Sequence, residues 1–282
     1  MISIVTISMN QGAFLPRAVE SVLSQQDVDF EYVIVDAGST DGSRAFLATV
    51  RDPRVKLILE PDLGPADGLN KGVRASSGTI VGYLNADDLY LAGALRAVHH
   101  AFASEPSIDV VMGDGWIIDS NDRVIRHFES TEWGLRRYLY GGVSVLQQST
   151  FFRRAVYDRT AGFNPRNATC WDGELLVDMA LAGARFNHVR ADWAAFRLHA
   201  EGISGSGRLE SRFREDRRRI IARAIGRDFG TKDHILTIAA RFGKLLRSPG
   251  YAVRRLLFRP AAGRRIERGH HGFVLRSGVA KE

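Results

Sequence analysis

The run "GYLNADDLY", residues 82–90, ends an apolar, strand-like stretch in Asn85, Ala86, Asp87 and Asp88. Adjacent carboxylates repel, and burial at a strand end strips their hydration unless a cation sits beside them. A metal ion is one answer. The other is a helix cap: "LAGALRAVHHAF" follows with helical spacing, and Asp is a favoured N-cap residue. The stretch alone leaves both readings open.

The elements that would position these residues alternate. "ISIVTIS" (2–8), "FEYVIVD" (30–36), "RVKLILE" (54–60) and "TIVGYLN" (79–85) read as buried strands. Between them, 15–25, 41–50 and 67–76 read as helices. This rhythm specifies βαβ units, and so an α/β fold with a mostly parallel central sheet and helices on both faces. Ligands of such sheets bind beyond the carboxyl ends of the strands. Asn10, Asp36, Asp87 and Asp88 collect there. Past residue 105 the pieces shorten: strands over 108–119, 123–128 and 143–152, a helix over 172–183, and two short strands, "ARFNHV" and "WAAFRLH", leading to His199.

The chain has 282 residues, 45% hydrophobic and 25% charged, without a repeat or low-complexity tract, which excludes a solenoid and wholesale disorder. Cys170 is its single cysteine, so no intrachain disulfide forms and a reducing compartment is expected. "MISIVTIS" lacks a basic leader, and no apolar run reaches the ~20 residues of a membrane span. The expected location is cytoplasmic, in solution or peripheral on the inner face of a membrane. Charge is asymmetric: residues 208–282 hold 20 Lys and Arg against 7 Asp and Glu, net +13, whereas residues 1–207 hold 19 against 25, net −6. We therefore expect a boundary near "EGISGSGR" (201–208), with one domain over 1–207 and a basic helical extension over 208–282.

An ordered series of motifs adds a family. "VTISMNQGAFLPRAVESVLSQ", "YVIVDAGSTDGS", "EPDLGPADGLNKGVRASSGTIVGYLNADD", "QQSTFFRR", "WDGELLVDMALAG" and "RLHAEGISGS" together resemble inverting glycosyltransferase family 2, of GT-A (Rossmann-like) fold, over about residues 1–205. The resemblance implies transfer of a sugar from a nucleotide diphosphate donor to an acceptor hydroxyl, with a donor half over about 1–105 and an acceptor half over about 106–207. A diphosphate leaving group gathers charge, which a divalent cation stabilises; oxygen ligands suit Mn²⁺ or Mg²⁺. By the resemblance Asp87, with Asp88 beside it and His199 closing the shell, would hold that metal, although Asn85 stands where the family has the first acid of Asp-x-Asp. Donor contacts would come from Ser8, Asn10, Asp36, Asp67, Asn70, Lys71, Asn85 and Asp87. Ala37 and Met9 replace the second acid and the aromatic residue that relatives present to the base, so uridine is not implied. Asp172 would be the catalytic base, partly desolvated by Trp171; Glu174 projects elsewhere on the helix. His99, His100, His270 and His271 have no ligand-like setting.

The tail reads as helices over 208–225, 232–247 and 250–258, each with a basic and an apolar face, which suits an anionic membrane surface and a saccharide or lipid-linked acceptor. The alternative is a helical appendage packed on the domain. Nucleic acid is not indicated, because no binding motif accompanies the charge. Two function classes follow: an active metal-dependent glycosyltransferase in glycolipid or cell-surface polysaccharide synthesis, or a nucleotide-sugar-binding scaffold that has lost turnover.

Overall fold

The computed structural model describes residues 1–202, 209–247 and 264–276. Its first half alternates β1 (Ile2–Ser8), α1 (Leu15–Leu23), β2 (Phe30–Asp36), α2 (Ser43–Leu47), β3 (Val55–Ile58), α3 (Pro65–Ala75) and β4 (Ile80–Asn85). Runs of Ile and Val make strands buried on both faces, and Pro16 and Pro65 start α1 and α3 where a missing N–H leaves no gap. These four strands pair in parallel, and the register sets Ser8 beside Asp36 and Ile7 beside Asn85, so their carboxyl ends share one edge. Gly72 lets α3 lie close on that sheet: a Cβ there would meet Val5 Cγ1 at 2.2 Å.

The second half adds β5 (Leu89–Tyr90), α4 (Ala94–Ser104), β6 (Val110–Ile118), β7 (Val124–Phe128), α5 (Leu135–Leu139), a 3-10 turn (Gln147–Ser149), β8 (Thr150–Arg153), α6 (Arg154–Tyr157), α7 (Trp171–Leu181) and β9 (Phe186–Arg197). Strand β8 enters antiparallel between β4 and β6, giving the order β3-β2-β1-β4-β8-β6-β9-β5, with β7 paired to β6. The two short strands expected before His199 are one, because a shift in the β6–β9 register around Asp114 carries the pairing past exposed Arg190 and Asp192. One apolar layer packs α1 and α4 on the sheet through Leu15, Val19, Val22, Leu95 and Phe102. The opposite layer packs α3 and α7 through Leu69, Val73, Leu175 and Met179.

In the tail, α8 (Glu210–Ile225) buries Ile220 and Ile221 against Leu139, Tyr140 and Val177. Helix α9 (Thr231–Arg247) follows. Its Asp233 is fully buried, bonded by both terminal nitrogens of Arg227 (2.7 and 2.9 Å) and by the Tyr140 hydroxyl (2.8 Å). Arg227 holds that carboxyl well below the usual range. The expectation of helices throughout is corrected at the C-terminal side, where β10 (Arg265–Gly269) and β11 (Gly272–Arg276) form a hairpin. Alternation explains it: Ile266 and Phe273 face inward and are buried against Leu89, Leu91, Trp116 and Val124. The helix expected over 250–258 and most of the Gly/Ser-rich stretch lie outside the described residues.

Candidate active site

A cleft of about 690 Å³ opens where the carboxyl ends of β1 and β4 face the start of α7. Ser8, Ala37, Asp62, Asn85, Asp87, Gln147, Gln148, Trp171, Asp172, Arg126 and Arg197 all line it. Helix α4 begins at Ala94 with Gly93 at its N-cap, so neither Asp87 nor Asp88 is a cap.

The two neighbouring carboxylates diverge. Asp87 Oδ2 lies 2.9 Å from His199 Nε2, whose ring packs against Phe14 with centroids 4.8 Å apart. Asp88 turns inward, fully buried, and accepts hydrogen bonds from the amides of Gln148 (2.7 Å) and Asn85 (3.1 Å) and from the Arg197 backbone N–H (2.8 Å). Burial, and then the charge of Asp87, push its carboxyl well above the usual range. Expected to share a metal, the three residues split into a pair at the cleft, Asp87 with His199, and a fully buried brace, Asp88. Sequence reasoning missed Arg197, whose buried guanidinium donates to the carbonyls of Asp87 (2.7 Å) and Asp119 (2.9 Å) and pairs with Asp122 at 2.6 Å. Its signal was position: it opens the motif "RLHAEGISGS", two residues before His199.

Asp172 stands in the first turn of α7, beside buried Trp171 and without an ion-pair partner among the described residues. Burial raises its pKa, against the partial relief of its own backbone N–H and that of Gly173. Glu174 points away, as its spacing requires. It is buried against α8, where Arg219 grips both its oxygens at 2.7 and 2.8 Å and Asn167 donates at 2.8 Å. Burial would raise its pKa, but Arg219 and the two asparagines bring it below normal.

Most of the polar residues expected on the donor side bind the protein itself. Asp36 is fully buried and accepts from Ser39 Oγ (2.6 Å), Arg44 Nε (2.8 Å), and the N–H groups of Ser39 and Gly38; burial opposes, but these donors lower its pKa. Asn10, at φ 53°, accepts from the Thr40 N–H at 2.8 Å. Asn70 clamps the 157–163 segment, donating to the Phe163 carbonyl (2.7 Å) and accepting from Tyr157 (2.7 Å). Lys71 donates to the Pro61 carbonyl at 2.5 Å and lies 3.6 Å from Asp67, which accepts from the Leu63 N–H. The structure therefore does not bring Asn10, Asp36, Asp67, Asn70 and Lys71 into the cleft wall. Ser8 does reach it, and its Oγ is buried without a partner. Asp62, not singled out from sequence, joins it there with one oxygen on the Gly64 N–H (2.9 Å); burial raises its pKa.

A parallel nucleotide-binding half whose strand ends face a helix-borne carboxylate is the build of a GT-A transferase. The chain belongs to glycosyl transferase family 2, whose description matches residues 3–159. The PGL/p-HBAD biosynthesis glycosyltransferase of Mycobacterium bovis is 31% identical over 207 residues, 67% of this chain and 74% of that one. The match takes in 65% of the length of one curated relative, a glycosyltransferase of Nostoc, 74% of the mycobacterial one, and 38% of the succinoglycan biosynthesis protein ExoO of Rhizobium meliloti. Among solved structures, S. aureus TarS 1-349 in complex with UDP-GlcNAc superposes with a TM-score of 0.65 at 19% identity, covering 90% of this chain and 75% of that chain. Mannosyltransferase PcManGT from Pyrobaculum calidifontis, in complex with GDP-Man and Mn²⁺, gives 0.60 at 17%, covering 90% and 78%. At such identities these two speak for the fold.

Proposed function

We propose that the protein moves a sugar from a nucleotide diphosphate donor to an acceptor hydroxyl with inversion, Asp172 being the base. The observation that carries this reading is one cleft lined both by Asp172, which has no ion-pair partner among the described residues, and by Asp87, which contacts His199 at 2.9 Å. The acceptor oxygen attacks the anomeric carbon, its proton passes to Asp172, and the bond to the β-phosphate breaks on the far side. A scaffold that only binds donor has no use for such a base, which disfavours the inactive reading.

Asp87 and His199 fit a divalent cation. A carboxylate and an imidazole, whose nearest atoms lie 2.9 Å apart, would supply it an oxygen and a nitrogen ligand. No group of three His, Cys, Asp or Glu converges among the described residues, so the donor phosphates and water would fill the remaining positions. Bound there, Mn²⁺ or Mg²⁺ would neutralise charge on the leaving diphosphate. Ser8 and Asn85 line this space on the donor side. The neighbours that hold UDP-GlcNAc or GDP-Man support a nucleotide-sugar donor, and Asp62 lines the same cleft as Ala37 and offers an acceptor there. For the acceptor we propose a saccharide or lipid-linked molecule met in the cytoplasm or at the inner face of a membrane, in glycolipid or cell-envelope polysaccharide synthesis. Among the described residues no helix is long and apolar enough to cross a membrane.

Calorimetry with UDP, GDP and their sugars, with Mn²⁺ or with EDTA, tests the donor site. One nucleotide should bind in a metal-dependent way, and Asp87→Ala should abolish that dependence. Binding indifferent to both EDTA and the substitution would remove the metal from this reading.

A further inference from the structure

Helix α9 is amphipathic in the inverted sense. The side it turns to the body is polar or small: Asp233 is buried on Arg227 and Tyr140, and the Ala240 carbonyl lies against Gly142. The opposite side exposes Ile235 (63%), Ile238 (63%) and Phe242 (66%), with Ala239 between them. These positions are spaced i, i+3, i+4 and i+7, which makes one continuous stripe. A soluble helix normally points such a stripe at the core, and an exposed run of large apolar side chains marks a surface that something else covers.

The rim identifies what covers it. Lys232 and Arg241 flank the stripe and are exposed. The only acid on α9, Asp233, is neutralised inside by Arg227. A second copy of the chain would bring like charges together around its apolar centre, a repulsive arrangement. An anionic lipid surface instead meets both features: apolar side chains enter the headgroup boundary while Lys and Arg pair with lipid phosphates. We infer that α9 is a membrane-docking helix, laid flat on an anionic bilayer with Ile235, Ile238 and Phe242 inserted. Its place is consistent with a lipid-borne acceptor. Tyr140 and Gly142, which α9 rests on, lead directly into Val145–Gln148 of the cleft wall.

Docking rests on the membrane part of the proposed function, and its test reads lipid binding, so its failure leaves nucleotide binding, measured separately, unaffected. The full chain is sedimented with phosphatidylcholine vesicles with and without about 30% phosphatidylglycerol, an anionic content that gives a negative surface potential. Wild type should sediment with the anionic vesicles only, and less so as salt rises. The triple variant Ile235→Ser, Ile238→Ser, Phe242→Ser should lose roughly a hundredfold or more in vesicle affinity, because three large apolar side chains no longer leave water. Lys232→Glu with Arg241→Glu should lose it too, while both variants keep nucleotide affinity. No vesicle binding by wild type, or unchanged binding by the triple variant, overturns the inference. So does a wild-type dimer that the triple variant converts to monomer, or release of the stripe to solvent, read by hydrogen exchange, when residues 248–263 are replaced by a Gly/Ser linker.

Discussion

The two sides of the cleft use polar residues in opposite ways. Behind the donor side, outside the cleft wall itself, Asp36, Asn70, Asp67 and Lys71 are engaged by other parts of the chain and fix the segments around it. Across the cleft, Asp172 keeps its carboxylate without an ion-pair partner among the described residues, while its neighbour Glu174 takes up Arg219. A polar residue near the strand ends is thus as much a fastening as a reagent, and the candidate base is the carboxylate left without a cationic partner. Keeping a partly buried carboxylate without one lowers stability.

The sharpest way to break the comparison is Asp172→Asn. Transfer should fall about 10²–10⁴-fold, the usual contribution of a positioned base, while nucleotide affinity measured by calorimetry stays put; an unchanged rate would remove Asp172 from the chemistry. The same substitution should raise stability at neutral pH. A carboxyl whose pKa is raised on folding stabilises the fold below its ordinary pKa and loses that contribution as pH rises through the raised value. Thermal melts of Asp172→Asn and wild type should therefore converge in acid and separate, with the variant higher, towards pH 7. Transfer by wild type should climb with pH through that raised value, above the ordinary carboxylate range.

Next in size is Arg219→Ala, which leaves the buried Glu174 carboxylate only the bonds from Asn164 and Asn167 and the longer contact to Arg223 Nη2 (3.4 Å). Breaking a buried pair costs about 3–5 kcal/mol, and the low end is expected because Arg219 itself is partly exposed. Denaturant unfolding measures it, and Glu174→Gln with Arg219→Ala together should recover part of the loss. Smaller again is Asn70→Ala, which leaves the Tyr157 hydroxyl and the Phe163 backbone without partners, at about 1–3 kcal/mol. Because Asn70 is a fastening, nucleotide affinity of the folded variant should change by less than about twofold, well below one factor of ten per 1.4 kcal/mol. A large loss of affinity at constant stability would return Asn70 to the donor contacts.

Much of this was legible in the sequence, for identifiable reasons. Four unbroken Ile/Val strands alternating with helices could pack only as a sheet covered on both sides, and Asp172 at a helix start beside Trp171 stands where it was expected. The fates of Asp36 and Asn70 were not legible, since their partners Arg44 and Phe163 lie 8 and 93 residues away and only the packed loops bring them close. Asp62 and Arg197 were missed because their significance comes from which cleft they border. The hairpin was missed because "RIERGHHGFVLR" is basic and short, and a short apolar alternation amid arginines also fits a helix.

That hairpin sets an order of events during synthesis. Strand β5, immediately after Asp88, is paired on one side by Ala195 of β9, yet its Leu89 and the next residue, Leu91, are sealed by Phe273. Roughly 80 residues separate those two partners, and at about 5–20 residues per second a ribosome takes roughly 4–16 s to deliver the second after the first. During that interval the backbone beside the acids of the cleft has an open apolar flank. A nascent chain can shape its donor half early, but the strand that follows Asp87 and Asp88 is closed only once Phe273 has emerged.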